Sequence, residues 1–127
     1  MKIFIFGNPD VPEDALPLKI LPRLKERFSD VQFAVVDPNE EWDMPENVVV
    51  IDTVMGIEKV MMLNGLERFA AAPRVTMHDF DALAQLRYLQ KLGKIKKVTV
   101  IGMPPAISED EAFEDVVKAV KTFPELQ

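Results

Sequence analysis

The chain has 127 residues, 48% of them hydrophobic and 28% charged, and we predict one globular domain over residues 1–127. It has no cysteine, which excludes disulfides, thiolate nucleophiles and metal centres held by its own thiolates. The net charge of −6 offers few cationic contacts for phosphates, so we expect neither nucleic acid nor a membrane as a partner. No apolar run approaches the roughly 18 residues of a membrane span and no signal-peptide pattern is found, which predicts a cytoplasmic protein.

The first half of the sequence predicts three strands and one helix. Residues 1–6 are an apolar run followed by Gly-Asn-Pro, which is typical of a buried strand and a turn. Apolar residues then recur every four positions over 16–28, which predicts a helix with Asp14 as its N-cap and a kink or break at Pro22. Two further apolar runs, 31–36 and 48–52, lack polar alternation and are typical of strands covered on both faces.

The segment after the third strand is ambiguous and is followed by a clear helix. Residues 57–75 fit either a strand and turn or, from Leu66, the start of a short helix. Thr76 and Asp79 have the spacing of a capping box, and the apolar stripe behind them ends at Gly93. We therefore predict a helix between these signals.

The end of the chain predicts one more strand and one more helix. Residues 97–102 are apolar apart from their first position and Thr99, and Ser108 with Glu111 has the pattern of a helix start. Strands and helices thus alternate along most of the chain. This alternation predicts an α/β fold, a three-layer sandwich in which helices flank a largely parallel, twisted sheet.

Three ionisable residues follow predicted strands or begin a predicted helix: Asp14, Asp52 and His78. Ligands of open α/β sheets bind beyond the carboxyl ends of the strands, so we expect the three to share one edge of the sheet. Two carboxylates and an imidazole suit a borderline divalent metal such as nickel or zinc. Each residue also has a structural interpretation, because Asp14 can cap a helix, Asp52 can satisfy a local partner and His78 can be an ordinary turn histidine.

The order of five short motifs resembles that of the hydrogenase maturation endopeptidases of nickel–iron hydrogenases, along almost the whole chain. The motifs are Gly7-Asn8, Glu13-Asp14, Val50-Ile51-Asp52, Thr76-Met77-His78 and Val100-Ile101-Gly102-Met103-Pro104-Pro105. The resemblance maps the family's three metal-contacting residues onto Asp14, Asp52 and His78.

The resemblance implies an endopeptidase that removes the C-terminal extension of a hydrogenase large-subunit precursor after nickel has been inserted. Asp14, Asp52 and His78 are then the catalytic and metal-contacting residues. The nickel belongs to the substrate, and no organic cofactor is expected. A metal that polarises a carbonyl or activates water supplies chemistry that the side chains of this sequence otherwise lack.

Departures from the family pattern keep other functions open. Residues 37–47 contain no glycine and are too short for the family's usual helix, and Ala15 stands where a glycine commonly follows the acidic pair. A non-catalytic assembly factor that binds a metallated client without cutting is therefore the alternative. A flavodoxin-like or receiver-like domain, with a cofactor or a phosphoacceptor at Asp52, is a third possibility. Trp42 is either a partner anchor or a residue that covers the sheet.

Overall fold

The structure, a computed structural model, describes residues 1–36, 40, 42–67 and 77–126, apart from the side chains of residues 77–82. The described residues form one five-stranded sheet of order β2-β1-β3-β5-β4. Neighbouring strands are parallel except β4, which is antiparallel to β5. The strands are β1 (Lys2–Ile5), β2 (Gln32–Val35), β3 (Asn47–Thr53), β4 (Met61–Asn64) and β5 (Lys97–Met103).

Helices cover both faces of the sheet. They are α1 (Leu16–Arg27), α2 (Met77–Lys91) and α3 (Glu109–Lys121), with short 3-10 turns at Pro12–Asp14 and Pro124–Leu126. Helices α1 and α3 pack together on one face, and α2 packs on the other. The predicted three-layer α/β architecture is confirmed. In the described part of the chain, no helix has both the length and the hydropathy needed to cross a membrane.

Alternate residues of the central strands enter the two halves of the core. Ile3, Ile5 and Ile51 pack with α1 and α3, whereas Phe4 and Val50 pack on the side of α2. Because both faces are covered, polar alternation is absent from β1 and from most of β3. The apolar runs that predicted these strands are therefore explained by the layers around them.

The start of α1 differs from the prediction. Asp14 is not its N-cap: the helix begins after Ala15, and Asp14 ends the preceding 3-10 turn. The Asp14 N–H donates to the carbonyl of Val11, and its own carbonyl accepts from the N–H of Asn8. The residue is therefore held in the turn before the helix starts. Pro17 lies in the first helical turn, where its missing backbone N–H costs the helix no hydrogen bond.

The break expected within α1 is also absent, because the helix runs through Pro22 as one element. Pro22 removes one backbone hydrogen bond, but its ring is exposed while Leu21 and Leu24 on either side of it are buried in the core. Packing of the apolar face keeps the helix continuous despite this loss.

The ambiguous segment contains both predicted features. Strand β4 leads into Gly65, whose φ of +100° is readily adopted by glycine, and Leu66 and Glu67 are already helical. Helix α2 confirms the next predicted helix, although Thr76 of the proposed capping box lies outside the described residues. The last predicted helix is α3, where the Ser108 side chain accepts a hydrogen bond from the Glu111 N–H at 3.1 Å.

The connection between β2 and β3 contains a buried tryptophan. Trp42 is buried, and its ring centroid lies 5.4 Å from that of Phe6, which follows β1. Together with Met44, it covers the face of the sheet on which α2 packs. The interpretation of Trp42 as a residue that covers the sheet is therefore confirmed, and its proposed role as an exposed partner anchor is wrong.

Candidate functional site

Asp52 lies next to the carboxyl end of β3, where that strand pairs with Gly102 of β5. The side chain is only 1% exposed, and its Oδ1 accepts a hydrogen bond from the Thr53 N–H at 2.8 Å. Asp52 follows Val48 and Val50 on the even-numbered side of β3, the side that α2 covers. The carboxylate is thus held in place by the strand that carries it.

Asp14 reaches the same edge of the sheet from the connection between β1 and α1. Its turn, Pro12–Asp14, contacts β3, and Asp14 itself is 0% exposed. Gly7 permits this approach. A Cβ atom at Gly7 would lie 3.0 Å from the Asp14 carbonyl oxygen and 3.2 Å from Leu18 Cγ. The glycine after the first strand therefore makes room for the turn that carries Asp14.

A second glycine makes room beside Asp52. A Cβ atom at Gly102 would lie 2.8 Å from Val54 Cγ2, so a side chain there would force Val54, the residue after β3, to shift. The sequence signal for this contact was a glycine inside an otherwise apolar strand, a position that often marks close approach of another segment. Sequence analysis had read Gly102 only as part of a motif.

His78 is the second residue of α2, on the side of the sheet that Asp52 faces. Helix α2 ends shortly before β5 begins, so its last residues lie near the amino ends of the parallel strands. Its first residues therefore lie toward the carboxyl ends of these strands. The His78 side chain lies outside the described part of the structure. Within that part, no group of three or more side chains suited to holding a metal is found. Convergence of Asp14, Asp52 and His78 therefore stays a prediction.

Buried polar side chains are concentrated at the carboxyl ends of the strands. Among the described residues, the buried polar or charged side chains are Asp14, Asp52, Thr53 and Thr99. The first three lie at or beyond the carboxyl ends of β1 and β3, and the Thr53 hydroxyl has no hydrogen-bond partner among the described residues. The sequence does not single out Thr53, because threonine is common in β-strands.

A cavity of about 500 Å³ lies at the opposite edge of the sheet. Its lining includes the first residue of each of the four parallel strands: Lys2, Gln32, Asn47 and Lys97. Neither Asp14 nor Asp52 lines this cavity. The candidate carboxylates are instead enclosed by packed protein.

A largely parallel sheet with two buried carboxylates at its carboxyl edge defines an α/β protein with a candidate site at the usual place for this class. Among solved structures, the chain is similar to the hydrogenase maturating endopeptidase HybD from E. coli, with a TM-score of 0.68. The similarity covers 96% of this chain and 93% of that chain, at 17% sequence identity.

This similarity confirms the prediction that this chain has a fold like that of the hydrogenase maturation endopeptidases. A scan with protein-family models finds no match, and a search of curated proteins finds none either.

Proposed function

We propose that this chain is an endopeptidase that removes the C-terminal extension of a nickel-loaded hydrogenase large-subunit precursor. In this proposal Asp14, Asp52 and His78 contact the nickel that the substrate carries, so that only a loaded precursor is cut. The fold shared with HybD supports the general kind of function. The cytoplasm stays the predicted location.

The observation that carries the proposal is the burial of two carboxyl groups at the carboxyl edge of the sheet. Asp14 and Asp52 are 0% and 1% exposed, while the described core around them is almost entirely apolar. Taking a carboxylate out of water costs free energy unless partners compensate, so such groups are concentrated at functional sites. Carboxylate oxygens can bind a divalent cation that the substrate brings.

The chemistry divides between the substrate and this chain. The chain has no cysteine and one histidine, so it offers few groups for a nucleophile-and-base arrangement. A metal ion on the substrate can polarise the scissile carbonyl or lower the pKa of an attacking water. In the proposal, Asp14 and Asp52 orient that metal relative to the peptide. Asp52 is held by β3, and Asp14 is held by the turn that follows β1.

A second candidate is a non-catalytic assembly factor that binds the metallated precursor on the same fold. One observation on the sequence favours it: residues 37–47 are too short for the helix that the family pattern places before the third strand. The peptidase and the assembly factor share the same residues and the same client. They differ only in whether the peptide bond is broken.

The test is incubation of the purified chain with a nickel-loaded or nickel-free large-subunit precursor from the same organism. Mass spectrometry of the precursor detects cleavage, and co-purification detects binding. We expect cleavage of the loaded precursor only, and loss of cleavage in Asp14→Ala, Asp52→Ala and His78→Ala. The exposed neighbour of Asp14 gives a matched control, Glu13→Ala, which should cleave normally.

Circular dichroism and thermal unfolding establish that each variant is folded. Binding of the loaded precursor without cleavage by the wild type would select the assembly factor. If the wild type neither cleaves nor binds the precursor, both candidate functions fail. Loss of thermal stability in the aspartate variants, with normal cleavage of the fraction that folds, would show that the carboxylates are structural.

A further inference from the structure

Thr53 is the last residue of β3 and follows Asp52 directly. Its side chain is 4% exposed, and its hydroxyl oxygen has no hydrogen-bond partner among the described residues. Buried polar groups are nearly always hydrogen-bonded, so an exception calls for a specific explanation. Its backbone N–H, in contrast, is used, because it donates to the carboxylate of Asp52.

Thr53 lies at the same end of the sheet as Asp14 and Asp52, with its side chain on the face opposite to that of Asp52. Thr53 shares the odd-numbered side of β3 with Val49 and Ile51 and pairs with Met103 of β5. The register of β1 and β3 pairs Ile5 with Ile51, and continuing it by two residues brings Gly7 beside Thr53. The turn that carries Asp14 packs directly over Gly7.

We propose that the Thr53 hydroxyl is a substrate-binding group, which hydrogen-bonds a backbone N–H or carbonyl of the peptide that is processed or bound. A hydroxyl can donate and accept, so it suits either group of an extended peptide. The inference rests on the proposed function, because the peptide is the segment of the precursor next to its metal. Because Thr53, like Asp14 and Asp52, is buried, the proposal requires this end of the sheet to open when the peptide binds.

The proposal predicts that removing the hydroxyl improves folding and impairs binding. Thr53→Val keeps the shape of the side chain, and we expect its Tm to rise by about 2–6 °C because a buried hydroxyl without a partner is lost. The same variant should raise KM for the nickel-loaded precursor roughly three- to tenfold, the effect of one lost hydrogen bond. For an assembly factor, Kd is measured in place of KM.

Two variants serve as controls. Thr53→Ser retains the hydroxyl and should keep a KM close to that of the wild type, even though the lost methyl group lowers its Tm. Thr99→Val changes the buried threonine of β5 that lines the cavity at the opposite edge, and it should leave KM unchanged.

The outcomes separate this inference from the proposed function. If the wild type processes or binds the precursor and Thr53→Val has an unchanged KM or Kd, the proposed role of Thr53 is wrong. The proposed function is not affected by that result. A fall in Tm of Thr53→Val would show that the hydroxyl stabilises the fold, which also overturns the inference. A wild type that neither cleaves nor binds the precursor overturns the proposed function and this inference with it.

Discussion

Replacing Gly7 with alanine puts a methyl group between the end of β1 and the turn that carries Asp14. The new Cβ would lie 3.0 Å from the Asp14 carbonyl oxygen, 3.2 Å from Leu18 Cγ and 3.5 Å from Leu18 Cδ1. Favourable contacts of carbon with other heavy atoms lie near 3.5–4.0 Å, so the turn or the helix behind it must move. Movement of the turn also stretches the 3.1 Å hydrogen bond from the Asn8 N–H to the Asp14 carbonyl.

The expected loss of stability combines two opposing effects. Overpacking of a core typically costs about 1–3 kcal/mol, whereas alanine in place of glycine gains about 0.4–1 kcal/mol by restricting the unfolded chain. Gly7 is not among the glycines with positive φ, so no backbone strain adds to the cost. We therefore expect Gly7→Ala to lower the free energy of unfolding by about 0.5–2 kcal/mol. For a chain of 127 residues this corresponds to a fall in Tm of about 2–8 °C.

The assay is urea unfolding of Gly7→Ala, Leu18→Ala and the double variant. Leu18→Ala removes the two side-chain contacts and leaves the contact with the Asp14 carbonyl. If that carbonyl limits the space at Gly7, the cost of Gly7→Ala stays within about 0.5 kcal/mol of its original value when Leu18 is alanine. The refuting results are a Gly7→Ala variant at least as stable as the wild type, or full recovery of its stability by Leu18→Ala.

Three further substitutions test the packing around the site and the sheet. Gly102→Ala should cost about 1–3 kcal/mol in urea unfolding, because its methyl would lie 2.8 Å from Val54 Cγ2, and Val54→Ala should recover part of this loss. Trp42→Ala should cost about 3–5 kcal/mol by the same measurement, with precursor binding by the folded fraction unchanged. Ser108→Ala removes the side-chain cap of α3 and should lower Tm by about 4 °C.

Periodicity and capping patterns predicted most of the fold because they report local physics. The strands β1 and β3 show as apolar runs because both of their faces are buried. The Ser108 cap depends only on residues near it in the sequence. The errors occurred where tertiary contacts decide. Asp14 has the side chain of an N-cap, but its backbone is held in a 3-10 turn over Gly7, and Pro22 is tolerated because the residues beside it pack into the core.

The candidate site was predicted less completely, for a related physical reason. The ends of two predicted strands locate Asp14 and Asp52, and the family resemblance selects the same two residues, so both positions could be predicted from the sequence. The degree of burial of these two groups depends on side chains from several elements, and no short pattern encodes it. Thr53 was missed because an unused hydroxyl is recognised only when the surroundings of its side chain are known.

Both proposed functions require the same physical event, because Asp14 and Asp52 are 0% and 1% exposed and a metal carried by a client must reach them. If only the open form binds the client, the apparent affinity for the client is reduced in proportion to the open fraction. The reduction is about tenfold for each 1.4 kcal/mol of opening free energy. Opening of an apolar region exposes hydrocarbon to water and gains nothing in return. Opening this end of the sheet instead hydrates the Thr53 hydroxyl, which has no partner among the described residues, and this offsets part of the cost. In both proposals, binding of the client's metal by Asp14 and Asp52 must supply the rest of the free energy of opening.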